Sequence, residues 1–175
     1  MCGIAGSIGR ILASQPVSRM VAAMNHRGPD DCGLVTLDAC GRFVALGSTR
    51  LAILDLSPAG HMPMPDPAGG NWIVFNGEVY NFLELRRQLE QDGEQFVSGT
   101  DTEVVLKGYR RWGSGVVGRL RGMFAFAVWD AARQELFLAR DRLGEKPLYY
   151  AAGGGEFLFA SEVRALLASG RTDRR

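Results

Sequence analysis

The sequence predicts an α+β fold, a single domain of two β-sheets with helices outside them. Three observations carry that expectation. Short apolar runs alternate with glycine-rich turns, the pattern of strands punctuated by chain reversals. Glycine accounts for 23 of the 175 residues, nearly double the average usage of about 7%, which suits tight turns and backbone close to a ligand more than a helical bundle. A few segments instead repeat their apolar residues every three to four positions, the period of a helix with one buried face.

Taken in chain order, residues 2–8 read as a strand, and Val17, Met20, Val21 and Met24 follow as a helical stripe. Residues 33–37 and the apolar runs at 43–46, 51–54 and 72–75 read as further strands. Asn81 has N-cap chemistry with Glu84 three positions on, and Phe82, Leu85 and Leu89 supply one helical face. Thr100-Asp101-Thr102-Glu103 has capping-box spacing ahead of Val105, Tyr109 and Trp112, so Asp101 falls in the first turn of that helix. The last third is mostly strand, at 123–129, 135–139, 147–151 and 157–160. A short helix over 162–168 should end at Gly170. The domain is expected to span 2–170, with 171–175 as a tail.

Composition narrows the function classes. With 46% hydrophobic and 22% charged residues, the chain is globular in type and long enough to fold without a disulfide or metal. A net charge of +1 gives no electrostatic footprint for nucleic acid or an anionic membrane. No run approaches the roughly 18 apolar residues of a membrane span. Met1-Cys2-Gly3-Ile4-Ala5-Gly6 lacks the charged start and apolar stretch of a secretory signal. Cys2, Cys32 and Cys40 cannot all pair, and without an export signal they read as reduced thiols of a cytoplasmic protein. His26 and His61 are not spaced as metal ligands, so no metal is expected.

No GxGxxG after a strand, no GxxxxGK[ST] and no GxSxG elbow occurs. What stands out is Cys2. With Met1 removed, one residue carries both a thiol and an α-amine of reference pKa about 7.7–8.0. That amine can take the thiol proton, which is nucleophile-plus-base chemistry within a single residue. Cys2 equally reads as a small buried hydrophobe. Asn76-Gly77 alone reads as a type I′ hairpin turn, Asp101 as a charge favoured at a helix N-terminus, and Arg50 as a solvated charge at a strand end. Lys146-Pro147 and Tyr149-Tyr150 read as turn and core, without chemistry.

Several segments in a fixed order point to a family. They are Met1–Gly6, Asn25-His26-Arg27-Gly28-Pro29-Asp30-Asp31, Arg50-Leu51-Ala52-Ile53-Leu54-Asp55, Phe75-Asn76-Gly77-Glu78-Val79-Tyr80-Asn81 and Ser98-Gly99-Thr100-Asp101-Thr102-Glu103-Val104. Gly122-Met123-Phe124-Ala125-Phe126, the run from Arg140 to Tyr150, and Ala160-Ser161-Glu162 complete the set. Together they resemble the glutaminase domain of class II glutamine amidotransferases, which are N-terminal nucleophile hydrolases, and most closely that of the asparagine synthetases.

The resemblance implies a four-layer αββα sandwich. It implies that Cys2 attacks the glutamine carboxamide to form a thioester, with Asn76 and the Gly77 N–H as oxyanion hole. Arg50 would hold the substrate α-carboxylate, and Asp101 with Glu78 the α-ammonium. Backbone groups of Leu51, Ala52, Ile53 and Leu54 would line the pocket, and residues 25–30 would form a flexible loop closing over it. Met62 stands where the family usually has glutamine, which removes an amide from that stretch. The implied partners are L-glutamine and a synthetase domain or subunit, with room for a homodimer and with neither nucleic acid nor membrane. No cofactor is expected in this chain, because ATP and Mg²⁺ belong to the synthetase domain, whose phosphate loop is not in these residues. Two other readings remain at this point: a non-catalytic module that docks on or regulates a synthetase, and a glutaminase that feeds a different acceptor.

Overall fold

The computed structural model describes residues 1–172. The chain runs β1 (Gly3–Gly9), α1 (Ser14–Ala22), β2 (Asp31–Asp38), β3 (Phe43–Arg50), β4 (Met64–Asp66) and β5 (Asn71–Val79). It continues α2 (Phe82–Gln91), α3 (Asp101–Trp112), α4 (Val116–Arg119), β6 (Gly122–Asp130), β7 (Glu135–Arg140), β8 (Tyr149–Gly153), β9 (Glu156–Ala160) and α5 (Val163–Ala168). One sheet has the order β2-β3-β1-β9-β8 and the other β4-β5-β6-β7. Every named strand pair is antiparallel.

Side-chain alternation along the central strands assigns the layers. On β1, Ala5 packs outward with Val17 and Met20 of α1, while Ile4 turns inward to the space between the sheets. On β6, Ala125 and Ala127 face the other sheet, whereas Phe124, Phe126 and Val128 pack under α2 and α3 with Leu85, Leu89, Val105 and Tyr109. The result is helix, sheet, sheet, helix, the αββα sandwich that the family resemblance implies. Burial on both faces explains why 123–129 reads as a continuous apolar run rather than an alternating one. The edge strand β2 instead alternates between half-buried and exposed positions.

Three readings of the sequence change. Residues 51–54 form no strand. Thr49 pairs with Gly3, Arg50 pairs with Asp31, and beyond that rung no neighbouring strand remains, so the backbone turns away and leaves Ile53 and Leu54 exposed. Asn76-Gly77 is not a turn, because β5 runs through both residues opposite Ala125 and Phe124. Gly77 serves a close approach: a Cβ there would lie 2.3 Å from Met123 O and 2.6 Å from Phe124 Cα. Neither β4, with three residues, nor α4, with one turn, leaves a readable period in the sequence. At the other end, Gly170 takes φ +71 just past α5. Arg171 N donates to Ser169 Oγ at 3.0 Å and Thr172 Oγ1 to Leu166 O at 3.0 Å, so 171–172 fold back on the helix. The rest of the expected tail, 173–175, lies outside the described residues. Among the described residues no helix is long and apolar enough to cross a membrane.

Candidate active site

β1 starts at Gly3, so Cys2 projects past the last rung of its strand at one end of the sandwich. There β3 ends at Arg50 and β5 carries Asn76, Gly77 and Glu78, while α3 begins at Asp101. These residues, with Leu51, Ile53 and Leu54, line one cavity of about 190 Å³. Of the positions expected in the pocket only Ala52 is outside its lining; its N–H donates to Asp30 Oδ2 at 2.9 Å. Met1, Asp55, Met62, Phe75, Met123 and Lys146 also line the cavity, and sequence reasoning gave none of them a place there.

The backbone around Cys2 is held from three sides. Arg27 Nε donates to Cys2 O at 2.8 Å, Gly3 N to Thr49 Oγ1 at 3.1 Å, and Ile4 N to Ser161 Oγ at 3.0 Å. Arg27 is fixed in turn by Nη1 donating to Glu162 Oε1 at 2.9 Å. Burial pushes the Cys2 thiol up, against the pull of the N-terminal charge and the Arg50 guanidinium.

The segment 25–30, expected to close over the pocket, touches β3 at two points and is otherwise mostly exposed. A 3₁₀ turn, Asn25–Arg27, carries the anchored Arg27, and Asp30 N donates to Arg50 O at 3.1 Å. A Cβ on Gly28 would lie 2.5 Å from both Arg50 N and Arg50 C. Gly28 therefore permits close packing on β3.

Arg50 is not a solvated strand-end charge, since only 7% of it is exposed. Its Nη1 donates to Ser57 O at 3.3 Å and its Nη2 to Asp55 O. Gly60 makes room for the guanidinium, because a Cβ there would sit 2.1 Å from Nη2. The Asp55 carboxylate accepts Gly99 N at 2.8 Å and Ser57 N at 2.9 Å, clipping the 51–57 loop to the start of α3. Those bonds, led by Gly99, hold its pKa down to about 2.

Asn76 is 1% exposed, and its Nδ2 has no hydrogen-bond partner. An orphaned buried amide donor is rare in folded proteins and calls for an explanation. Asp101 is more than a helix-dipole charge: its Oδ2 accepts Val79 N at 2.8 Å, tying α3 to β5. Burial first, with repulsion from Glu78, pushes its carboxyl up to about 6. Burial also raises Glu78, against the pull of the Lys146 ammonium.

Thr100 caps α3 as its spacing predicts, with Oγ1 accepting Glu103 N at 3.2 Å. The reciprocal half differs. Glu103 accepts Val97 N and Ser98 N, and Thr100 N donates to Ser98 Oγ. Asn81, expected as a plain cap, ties the entry to β6 through Arg121 N and Arg119 O. Met62 lends the cavity an apolar wall in place of an amide, while Ser48 Oγ donates to its carbonyl at 2.7 Å. Cys2, Cys32 and Cys40 are all unpaired.

Comparison with known proteins gives this geometry its context. A putative glutamine-hydrolysing asparagine synthetase 2 of Methanocaldococcus jannaschii is 41% identical over 184 residues, covering 96% of this chain and 35% of that protein. Asparagine synthetase 3 of Bacillus subtilis is 42% identical over 174 residues, covering 96% and 28%. Amidase chry2 of Gibberella zeae is 41% identical over 161 residues, covering 90% and 24%. The chain thus spans about a third or less of the length of these relatives. In structure it is similar to the glutamine phosphoribosylpyrophosphate amidotransferase of B. subtilis, with a TM-score of 0.82 over 97% of this chain and 44% of that one. At 24% identity that likeness establishes the fold alone. The model of the glutamine amidotransferase domain family matches residues 1–175, and the chain belongs to that family.

Proposed function

We propose that the chain hydrolyses L-glutamine to glutamate and ammonia through Cys2, and that the ammonia serves amide formation by a synthetase domain or subunit outside these residues, of the asparagine synthetase type. The observation that carries this reading is the unpartnered Asn76 Nδ2, buried in the wall of the cavity that holds Cys2. A donor left without a partner in the resting state is what stabilisation of a transient oxyanion requires, because it needs no rearrangement when charge develops.

The chemistry follows from the groups present. With Met1 removed, the Cys2 amine takes the thiol proton and Sγ attacks the carboxamide carbon. Charge on the tetrahedral oxygen is met by Asn76 Nδ2–H and the Gly77 N–H. Collapse breaks the C–N bond, the leaving nitrogen takes the proton from the amine, and ammonia departs, leaving a thioester. Water, deprotonated by the same amine, then frees glutamate and restores the thiol. Arg50 holds the α-carboxylate, a task suited to its planar fork of donors, and Asp101 with Glu78 holds the α-ammonium. Ile53, Leu54 and Leu56 expose apolar side chains at and beside the cavity mouth, and a synthetase domain seated there would cover them.

A paired assay on the purified chain tests the reading: glutamate release from glutamine, and ATP binding by calorimetry. Glutamate without ATP binding is the expected result. Intact mass of the active sample should lack Met1, whose retention at full activity would remove the single-residue base. Saturable, Mg²⁺-dependent ATP binding with asparagine formation would reveal a second active site and overturn the division of labour.

The acidic half of the pocket supplies a pH test. A carboxyl raised to about 6 loses its charge as pH falls through that value, so KM for glutamine should climb below about pH 6. Asp101→Asn should show a high KM without that inflection. The same inflection in the variant would remove Asp101 from α-ammonium binding.

A further inference from the structure

Lys146 is 6% exposed and lines the cavity, yet its one side-chain hydrogen bond among the described residues is to Met1 Sδ at 3.4 Å. A thioether is a weak acceptor and a poor partner for a buried ammonium, which requires an anion or strong acceptors. The position is built rather than incidental. The Asp141 carboxylate accepts Phe124 N, Leu143 N, Glu145 N and Lys146 N, and Gly144 turns the loop at φ +69. That clamp fixes the backbone carrying Lys146 against β6.

The loss of Met1 that the proposed mechanism requires would leave this ammonium without its thioether. Glu78, half-buried on β5, lines the same cavity. The other charged or titratable side chains lining that cavity are Lys146, Asp101 at the start of α3, Arg50 at the end of β3, Asp55 of the 51–57 loop, and Cys2. Burial opposes ionisation of Glu78 and Lys146 favours it, while Glu78 in turn opposes ionisation of Asp101.

We propose that Lys146 is a positioning residue of the pocket: in the Met1-free chain its buried ammonium pairs with the Glu78 carboxylate, holding it charged and oriented toward the α-ammonium of the bound amino acid. This rests on the glutaminase reading for the identity of the ligand and for the loss of Met1, but the Lys146–Glu78 pair itself is read by titration without ligand. One carboxylate oxygen serves the lysine and the other remains for the substrate. The lysine thereby offsets part of the burial that opposes ionisation of Glu78 beside a second carboxylate, Asp101.

The test uses the full chain with Met1 removed. Glu78 is titrated by ¹³C NMR of its carboxyl carbon, assigned by loss of the signal in Glu78→Gln. Lys146→Met, similar in length and uncharged, should move the Glu78 midpoint up by about 1 pH unit, and Lys146→Arg should restore it. In parallel, glutamine binding is measured by calorimetry in a Cys2→Ala background, where turnover cannot interfere. Lys146→Met should weaken binding up to about tenfold more at pH 6 than at pH 8, one pKa unit corresponding to a factor of ten. A merely structural lysine would weaken binding equally at both pH values. An unmoved Glu78 midpoint overturns the pair, and so does failure of Lys146→Arg to restore it. A moved midpoint with pH-independent loss of binding overturns the role toward substrate. Absence of glutamine binding in the Cys2→Ala parent would sink the glutaminase reading instead, and the titration would still decide the pair.

Discussion

Cys2→Ala should abolish glutamate release from glutamine while the chain remains folded. The substitution removes only the sulfur, from a residue that precedes the first rung of β1 and contributes no strand pairing. The anchors of that region are backbone groups, Cys2 O to Arg27 and Gly3 N to Thr49, and alanine retains both. Loss of a catalytic nucleophile costs on the order of 10⁶-fold in kcat where it has been measured in a comparable acyl transfer. Stability should change by no more than about 1 kcal/mol, the loss of a small, partly buried group. Glutamate release and the thermal midpoint, measured on one preparation, check both parts. A variant that hydrolyses glutamine at the parental rate would make Cys2 structural and end the thioester mechanism here.

Asn76→Ala should lower kcat by about 10²–10³-fold with little change in KM, because an oxyanion donor acts mainly in the transition state. The resting structure adds a stability expectation. At 1% exposure a truncation normally destabilises, but Asn76 Nδ2 has no partner. An unsatisfied buried donor carries a desolvation cost of about 1–3 kcal/mol. Removing it offsets much of the cavity left behind, so the urea midpoint should move little. Steady-state kinetics and urea unfolding test the two halves separately. A pure KM effect would transfer Asn76 to ground-state binding. A large loss of stability would mean that the cavity outweighs the relief of the unsatisfied donor.

How legible these residues were depended on where the decisive contacts lie. The stripe Val17–Met20–Val21–Met24 and the Thr100 cap are local, set by helical period and by a side chain three residues from its partner. Both appear where the sequence places them, except that Met24, buried with the others, lies past the end of α1 at Ala22. Residues 51–54 carry the same apolar signal as a strand but form none, since strand formation needs a neighbour and the ladder ends at Arg50. Asn76-Gly77 carries the strongest short turn signal in the chain, yet β6 lies alongside it and keeps it extended. Gly28 and Gly60 show how little composition says of a glycine's purpose. Each makes room for a different part of Arg50, the backbone in one case and the guanidinium in the other.

By itself the sequence determined the α+β class, the order of most elements and, through the spaced motifs, the family and a set of pocket residues. Those properties are written in short windows, where period, capping and motif identity are read directly. Tertiary structure alone decided which of those residues share a cavity. It closed Ala52 onto Asp30, pinned residues 25–30 to β3, and brought Lys146, which the sequence shows only as part of a turn, into the same chamber as Glu78 and Cys2. The reason is separation along the chain. Cys2, Glu78 and Lys146 meet only because two sheets stack and their open ends coincide, and no local pattern encodes that coincidence.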